Sequence, residues 1–323
     1  MTRQAYIEAT GGPEAISWRD VELPPPAPGE VRLRQGAVGV NFIDTYHRGG
    51  LYPITLPTGL GMEAAGVVEA VGDGVERWTP GMRAGTFGGA PGAYAEVRNV
   101  AADQLVALPD AVDDRTAAAL LLKGATAAFL VEECARVRRG DVVLVTAAAG
   151  GVGHLLVGWL KAVGATVIGT VSTEAKAERV RAGGADHVLL NGDDIAARVR
   201  EITGGEGVAV VLDGVGKATW PAALAATRRR GLIVSYGNAS GPVEGVALGV
   251  LARAGSLFVT RPTLFDYATT AAERQALADR VFAMLANGAI RPEIGQSFAL
   301  ADAAAAHRAL EAGETVGSTV LIP

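Results

Sequence analysis

A single cysteine, Cys134, stands in a chain of 323 residues, which excludes an intramolecular disulfide and a four-cysteine metal cluster. Usage this low fits a reducing compartment, and Cys134 falls on a helical pattern that packing explains better than catalysis. Histidine is scarce too: His47, His154, His187 and His307 lie far apart, and His47 is expected to be solvated or hydrogen-bonded. Every apolar run is broken by glycine or a charged residue before it reaches the length of a membrane span, so no membrane association is expected. A strong charge of either sign is also missing. The net charge of −5 argues against broad affinity for nucleic acid or anionic membranes. The short cluster Arg228-Arg229-Arg230 reads as a solvated helix end before a strand. Met1-Thr2-Arg3-Gln4-Ala5 runs straight into a strand pattern, so no signal peptide and a cytoplasmic location are expected.

What the chain does have is glycine, 43 residues of it, placed at turns, and an ordinary globular balance of 49% hydrophobic and 20% charged residues. The most informative glycines follow the run Val142-Val143-Leu144-Val145. Thr146-Ala147-Ala148-Ala149-Gly150-Gly151-Val152-Gly153 then leads into an apolar helix pattern. Strand, tight turn and helix in that order form the opening unit of a dinucleotide-binding fold. Small residues are needed because a pyrophosphate must touch the backbone N–H groups at the helix N-terminus. Ala148 stands where the usual pattern has its first glycine. Gly150 lets the backbone approach the phosphates, and Gly153 lets the helix sit close to the strand. The second strand, Ala165 to Val171, ends in Ser172-Thr173 with no acid before Glu174, and Lys176 and Arg179 follow. A carboxylate at the strand end would accept from a ribose 2′-OH, whereas hydroxyls and cations attract a 2′-phosphate. The pattern therefore favours NADPH over NADH, with Lys176 and Arg179 as a plain solvated helix face the alternative.

Two textures divide the chain. Up to about residue 122 it is β-rich, with strand patterns at Ala5–Ala9, Val31–Gln35 and Gly66–Val71 between Gly/Pro turns, then a helix over Asp113–Leu122. From Lys123 strands and helices alternate, which means a parallel sheet. Its later strands are expected at His187–Leu190, Val208–Asp213, Leu232–Tyr236 and Ser256–Val259. Ligands of such sheets bind beyond the strand C-terminal ends, which puts Asp213 to Gly216 and Ser235 to Asn238 around the cofactor. Helices over Ala271–Asn287 and Ala299–Ala312 precede a final strand, Ser318–Ile322, expected to return to the N-terminal domain.

Several blocks in order carry a family resemblance over nearly the whole chain. The segment Asn41-Phe42-Ile43-Asp44-Thr45-Tyr46-His47-Arg48-Gly49-Gly50-Leu51-Tyr52-Pro53 resembles the signature of the zinc-independent, zeta-crystallin-like quinone oxidoreductases of the medium-chain dehydrogenase/reductases. Gly59 to Val68, Leu122-Lys123-Gly124-Ala125-Thr126-Ala127, Ala147 to Gly153, Val259-Thr260-Arg261-Pro262 and Gly317 to Pro323 match the further blocks. The resemblance implies an α/β protein. A GroES-like β-rich catalytic domain (residues 1–122 and 265–323) would enclose a Rossmann-type doubly wound parallel-sheet domain (123–264). Zinc-dependent relatives place a Cys within the stretch aligned to Asn41–Asp44 and a His at Met62, so no metal is expected.

Without a metal, the site needs positioning, hydrogen bonds to a developing oxyanion and a slot for a flat ring. Asn41, Tyr46, Tyr52 and Arg261 are the residues for these tasks, with Tyr46 the candidate proton donor. Their plainer readings are a helix cap for Asn41, half-buried core for Tyr46 and a carboxylate partner for Arg261. The resemblance implies that Lys123 and Thr126 join Ala148, Gly150, Gly151, Val152, Gly153, Ser172, Lys176, Asp213, Tyr236 and Asn238 in holding NADPH. Two departures from the bacterial pattern fall at Leu190-Asn191-Gly192, where relatives carry a tyrosine, and at Ala312 to Thr315, where they carry an arginine. They leave Ser172, Lys176 and Arg179 to hold the 2′-phosphate. The expected activity is NADPH-dependent reduction of a quinone, in a homodimer paired through the apolar late strand Ser256–Thr260. The alternatives are reduction of α,β-unsaturated carbonyls and nucleotide binding with little turnover.

Overall fold

Burial alternates along Glu30–Val40, with Val31, Leu33 and Gln35 inside and Arg34 and Gly36 outside, and from Ala37 onward every residue is buried. A strand patterned this way packs one face at its start and both at its end. The computed structural model describes residues 1–323 and divides into two units. The first comprises Met1–Ala125, Ala268–Phe282 and Pro292–Pro323; the second comprises Thr126–Tyr267 and Ala283–Arg291.

In the first unit, Glu30–Val40 is central. It pairs antiparallel with Glu63–Val71, with Val97–Ala101 and with the last strand of the chain, Ser318–Ile322. Arg83–Phe87 and Leu105–Ala107 extend the sheet on one side and Ile294–Ala299 on the other. A three-stranded sheet of Ser17–Val21, Thr2–Ile7 and Thr58–Gly59 accompanies it. One cluster of buried side chains includes Ile7, Val38, Leu60, Tyr94 and Leu321, and a second includes Leu33, Val68, Trp78 and Leu105. Arg83–Phe87, Val97–Ala101 and Ile294–Ala299 show little apolar alternation in sequence. They are short, polar or glycine-containing, and their pairing with neighbours makes them strands.

The second unit holds a six-stranded parallel sheet. Its order in space is His187–Leu190, Thr166–Val171, Val142–Val145, Val208–Asp213, Thr227–Ser235 and Phe258–Thr260. The first strand in the chain is therefore third in space and the order reverses beside it, which is the doubly wound arrangement. Helix Gly151–Val163 follows the first strand, and Glu174–Ala182 follows the second. The Arg228-Arg229-Arg230 cluster corrects its sequence reading. The three side chains are exposed but stand inside the strand Thr227–Ser235, not at a helix end. A register shift against Val208–Asp213 and a positive φ at Arg230 accommodate the early start of that strand.

Candidate active site

At the glycine turn, Ala147 adopts φ 49°, a left-handed conformation an alanine rarely takes, and Ala148 is fully buried with its N–H donating to the Thr170 carbonyl. Gly150 is the N-cap of helix Gly151–Val163 and has no side chain to offer the first turn. The N–H groups of Gly151, Val152 and Gly153 thus have no partner within the helix, and with the helix dipole they suit a phosphate group. A Cβ on Gly153 would collide with the Ala147 carbonyl oxygen, so glycine there sets how near the helix lies to the turn. Past the second strand, Ser172 is exposed, Lys176 is half-buried, and the Thr173 hydroxyl accepts from the Lys176 N–H at 3.3 Å. Two acids flank Lys176 in sequence, Glu174 and Glu178, and Glu174 is drawn into an ion pair with Arg181.

Across the sheet's switch point, the fully buried Asp213 carboxylate gathers its own loop. Its oxygens accept from Thr146 Oγ1 at 2.7 Å, Thr219 Oγ1 at 2.7 Å and the Val215 and Gly216 N–H groups at 3.1 Å. Asp213 therefore shapes the turn that ends its strand. The Tyr236 hydroxyl lies over Gly214, and the Tyr236 N–H donates to the Asp213 carbonyl at 2.8 Å. Asn238 is buried two residues on. Thr126, Arg261 and Cys134 belong to this same unit. Arg261 is exposed and donates to the Pro262 carbonyl at 3.3 Å. Cys134 is half-buried, and burial pushes its thiol up, which makes it a poor nucleophile.

The first unit assembles the remaining candidates. Asn41 caps helix Phe42–Gly49 in an extended conformation, and its N–H donates to Asp44 Oδ2 at 2.8 Å. Its side-chain amide donates to Glu63 Oε2 at 2.8 Å. The same oxygen accepts from Lys123 Nζ at 3.0 Å, and Glu63 Oε1 accepts from the Leu122 N–H at 2.7 Å. Glu63 is 0% exposed and Lys123 5%. Tyr46 and Tyr52, both half-buried, meet edge to face with centroids 5.0 Å apart, and Phe42 lies 6.1 Å from Tyr46. Asn41 and Lys123 are thus joined through Glu63, with the tyrosine pair carried by or just beyond the helix that Asn41 caps.

Behind this group runs a buried polar chain that sequence reasoning missed. The Arg48 guanidinium donates to His307 Nδ1 at 2.9 Å, which leaves the ring proton on Nε2, 2.9 Å from the Tyr94 hydroxyl. The Tyr94 hydroxyl donates to Asp44 Oδ2 at 3.0 Å, and Arg48 also pairs with Glu311. Burial pushes the Asp44 carboxyl up from 3.8 to about 7, against the opposing pull of the Asn41 N–H, the Tyr94 hydroxyl and the Lys123 ammonium. Burial, then the Arg48 charge, lowers His307 to about 3. His47 is buried at 8% exposure and stacks edge-on with Tyr52 at 6.3 Å, so it is not solvated. The signal available in sequence was charge in an apolar setting: Asp44 and Glu63 each interrupt short, mostly apolar stretches.

These donors do not suit a catalytic zinc ion. Glu63 is already paired with an ammonium group, and Asp44 accepts from Tyr94 and the Asn41 N–H through Oδ2 alone, with no group of histidines, cysteines and carboxylates gathered beside it. Met62, 3% exposed beside Glu63 in sequence, adds a thioether and no imidazole.

Family models match twice: "Alcohol dehydrogenase GroES-like domain" over residues 27–110 and "Zinc-binding dehydrogenase" over residues 151–283. A quinone oxidoreductase of Pseudomonas aeruginosa is 49% identical over the full length of both chains. A 2-haloacrylate reductase of Burkholderia is 43% identical over all of this chain and 99% of its own. The crystal structure of Escherichia coli quinone oxidoreductase complexed with NADPH superposes with a TM-score of 0.97 at 43% identity. That match covers 99% of this chain and all of the other.

Proposed function

The chain belongs to the quinone oxidoreductases of the medium-chain dehydrogenase/reductase superfamily, and we propose that it reduces quinones at the expense of NADPH. The full-length identity of 49% to a quinone oxidoreductase carries this reading. It is supported by a doubly wound sheet whose first helix starts at a small-residue turn with unspent N–H groups. When bound, NADPH supplies a hydride.

The chain's own residues bind and orient. The N–H groups of Gly151, Val152 and Gly153 receive the pyrophosphate, with Ala148 and Gly150 keeping the turn open to it. Ser172 and Lys176 receive the 2′-phosphate. Lys123, Thr126, Tyr236 and Asn238 complete the cofactor contacts, with Asp213 holding its loop in shape. Asn41 and Tyr46 would hydrogen-bond the quinone oxygen, and Tyr52 would lie against the ring. A quinone accepts hydride without a Lewis acid because the charge delocalises onto oxygen. Oriented donors then supply the remaining stabilisation. The Tyr46 hydroxyl gives its proton to that oxygen and recovers one from solvent. In this proposal the reaction runs without a bound metal, since the Lys123 ammonium stands where a cation would face Glu63. The protein works in the cytoplasm as a homodimer.

A second reading, reduction of an activated carbon–carbon double bond, is favoured by the 2-haloacrylate reductase among the relatives. The test is NADPH and NADH oxidation against a panel of quinones, enones and 2-haloacrylate. Quinone turnover with NADPH preferred is the expected result. Turnover confined to the unsaturated acids would select the second reading, and no turnover with any acceptor would leave a nucleotide-binding protein.

A further inference from the structure

Glu63 is a carboxylate in a place that is costly to fill. It is 0% exposed at the start of strand Glu63–Val71, whose next residues, Ala64, Ala65 and Gly66, are also buried. An ionised side chain there must be matched by charge and hydrogen bonds, or it destabilises the fold by several kcal/mol. The match is complete: its two oxygens accept from Leu122 N–H, Asn41 Nδ2 and Lys123 Nζ at 2.7, 2.8 and 3.0 Å. The space is also made for it. Gly39 lies directly across the sheet from Glu63, and a Cβ on Gly39 would overlap Glu63 Oε2.

A carboxylate kept only for packing could be replaced by an apolar residue with the same effect on the sheet. What Glu63 does in addition is to hold two polar groups by a single oxygen. Asn41 Nδ2 and Lys123 Nζ come from the cap of helix Phe42–Gly49 and from helix Asp114–Ala128, and both converge on Oε2. One N–H of the Asn41 amide is thereby fixed, and with the amide oxygen turned to the Asp44 N–H in the capping box the direction of its second N–H is set. The Lys123 ammonium spends one of its three N–H groups on Glu63 and is left with donors to direct elsewhere.

We infer that Glu63 is a positioning residue of the reduction site, aiming the Asn41 amide and the Lys123 ammonium through one shared carboxylate oxygen. This rests on the proposed quinone reduction and on Asn41 and Lys123 as site residues. A side chain misplaced by about 1 Å costs on the order of a hundredfold in rate, so a positioning residue is visible in kcat without touching substrate.

The experiment is a double-mutant cycle on the full-length protein, with NADPH and a quinone. Glu63→Gln is expected to lower kcat by about ten- to a hundredfold. It is also expected to weaken NADPH, titrated by fluorescence, by about three- to tenfold through the freed lysine. In an Asn41→Ala background the same change should cost kcat no more than about twofold, because the amide it aims is gone. Should Glu63→Gln leave Lys123 unpaired and the fold unstable, Glu63→Gln with Lys123→Met removes both charges together and should show the same loss of kcat in a folded protein. Wild-type kcat with wild-type NADPH affinity in the folded variants would overturn the inference, as would fully additive losses in the cycle. Absence of quinone turnover in the unmutated protein would instead defeat the proposed activity, and this inference with it.

Discussion

Lys176 sits three residues past the Thr173 cap of its helix, between Glu174, which Arg181 holds, and Glu178. On the proposed reading, a cation there, past the second strand, distinguishes a 2′-phosphate from a hydroxyl. Lys176→Ala is expected to weaken NADPH by about ten- to a hundredfold, the equivalent of one charge-assisted contact, and to leave NADH nearly unchanged. Fluorescence titration with both nucleotides checks it, and equal losses would place the phosphate elsewhere. Asp44 makes a different kind of contribution. Its folded carboxyl titrates at about 7 against 3.8 for the free group, so the folded state binds its proton more tightly. The stability this adds is fully present below pH 3.8 and is lost as pH rises through about 7. Asp44→Asn removes the dependence. Urea unfolding should therefore show the variant gaining about 2–3 kcal/mol relative to the parent between about pH 5 and pH 8. His307 works with the opposite sign, since its stability is present above 6.5 and lost as pH falls towards about 3. The parent's own pH profile is correspondingly flatter than that of the variant.

Among the elements, the glycine turn and helix Gly151–Val163 show how a local pattern becomes a surface suited to a phosphate group. The strand-turn-helix order was legible because a β-branched run, small residues and an apolar helix pattern each have one ready interpretation. The strained residue was not legible: the left-handed conformation falls at Ala147, one position before the alanine that replaces the usual first glycine. Gly153→Ala should test the closeness of turn and helix, since its Cβ would meet the Ala147 carbonyl oxygen. It is expected to destabilise the protein by about 1–3 kcal/mol in urea unfolding and to weaken both nucleotides alike, because the turn moves as a whole. A loss confined to NADPH would contradict that account. Helix Phe42–Gly49 was visible in sequence only as a possible cap at Asn41. Its polar face is buried through contacts with Tyr94 and His307, which are distant in the chain.

At the level of the whole molecule, the last strand of the parallel sheet is the exposed feature in search of a partner. Phe258–Thr260 forms the sheet edge, with Phe258 59% and Val259 40% exposed. An apolar edge of this kind invites pairing, and a two-fold mate of the same strand would continue the sheet through both protomers. Phe258→Lys with Val259→Lys should turn a dimer into a monomer at micromolar concentration by light scattering. A parent protein that is already monomeric would rule out the arrangement. The metal-free proposal is likewise a property of the whole chain. Exhaustive chelation should leave quinone turnover unchanged, and stoichiometric zinc that tracks with turnover would refute it.

By itself the sequence determined the class of protein. Its periodicities separate a β-rich part from an alternating α/β part, and its ordered motif blocks identify a quinone oxidoreductase with a dinucleotide turn. These are local properties, set by residues within one or two elements of each other. Tertiary structure alone decided what the buried charges do. Glu63 meets Asn41 and Lys123 across 22 and 60 residues of chain, and Tyr94 meets His307 across 213. No spacing rule connects such residues, because their distance is set by strand register and helix packing. For the same reason the sequence showed a carboxylate at position 63 but not its partners, and only the fold turned it into a support for the site.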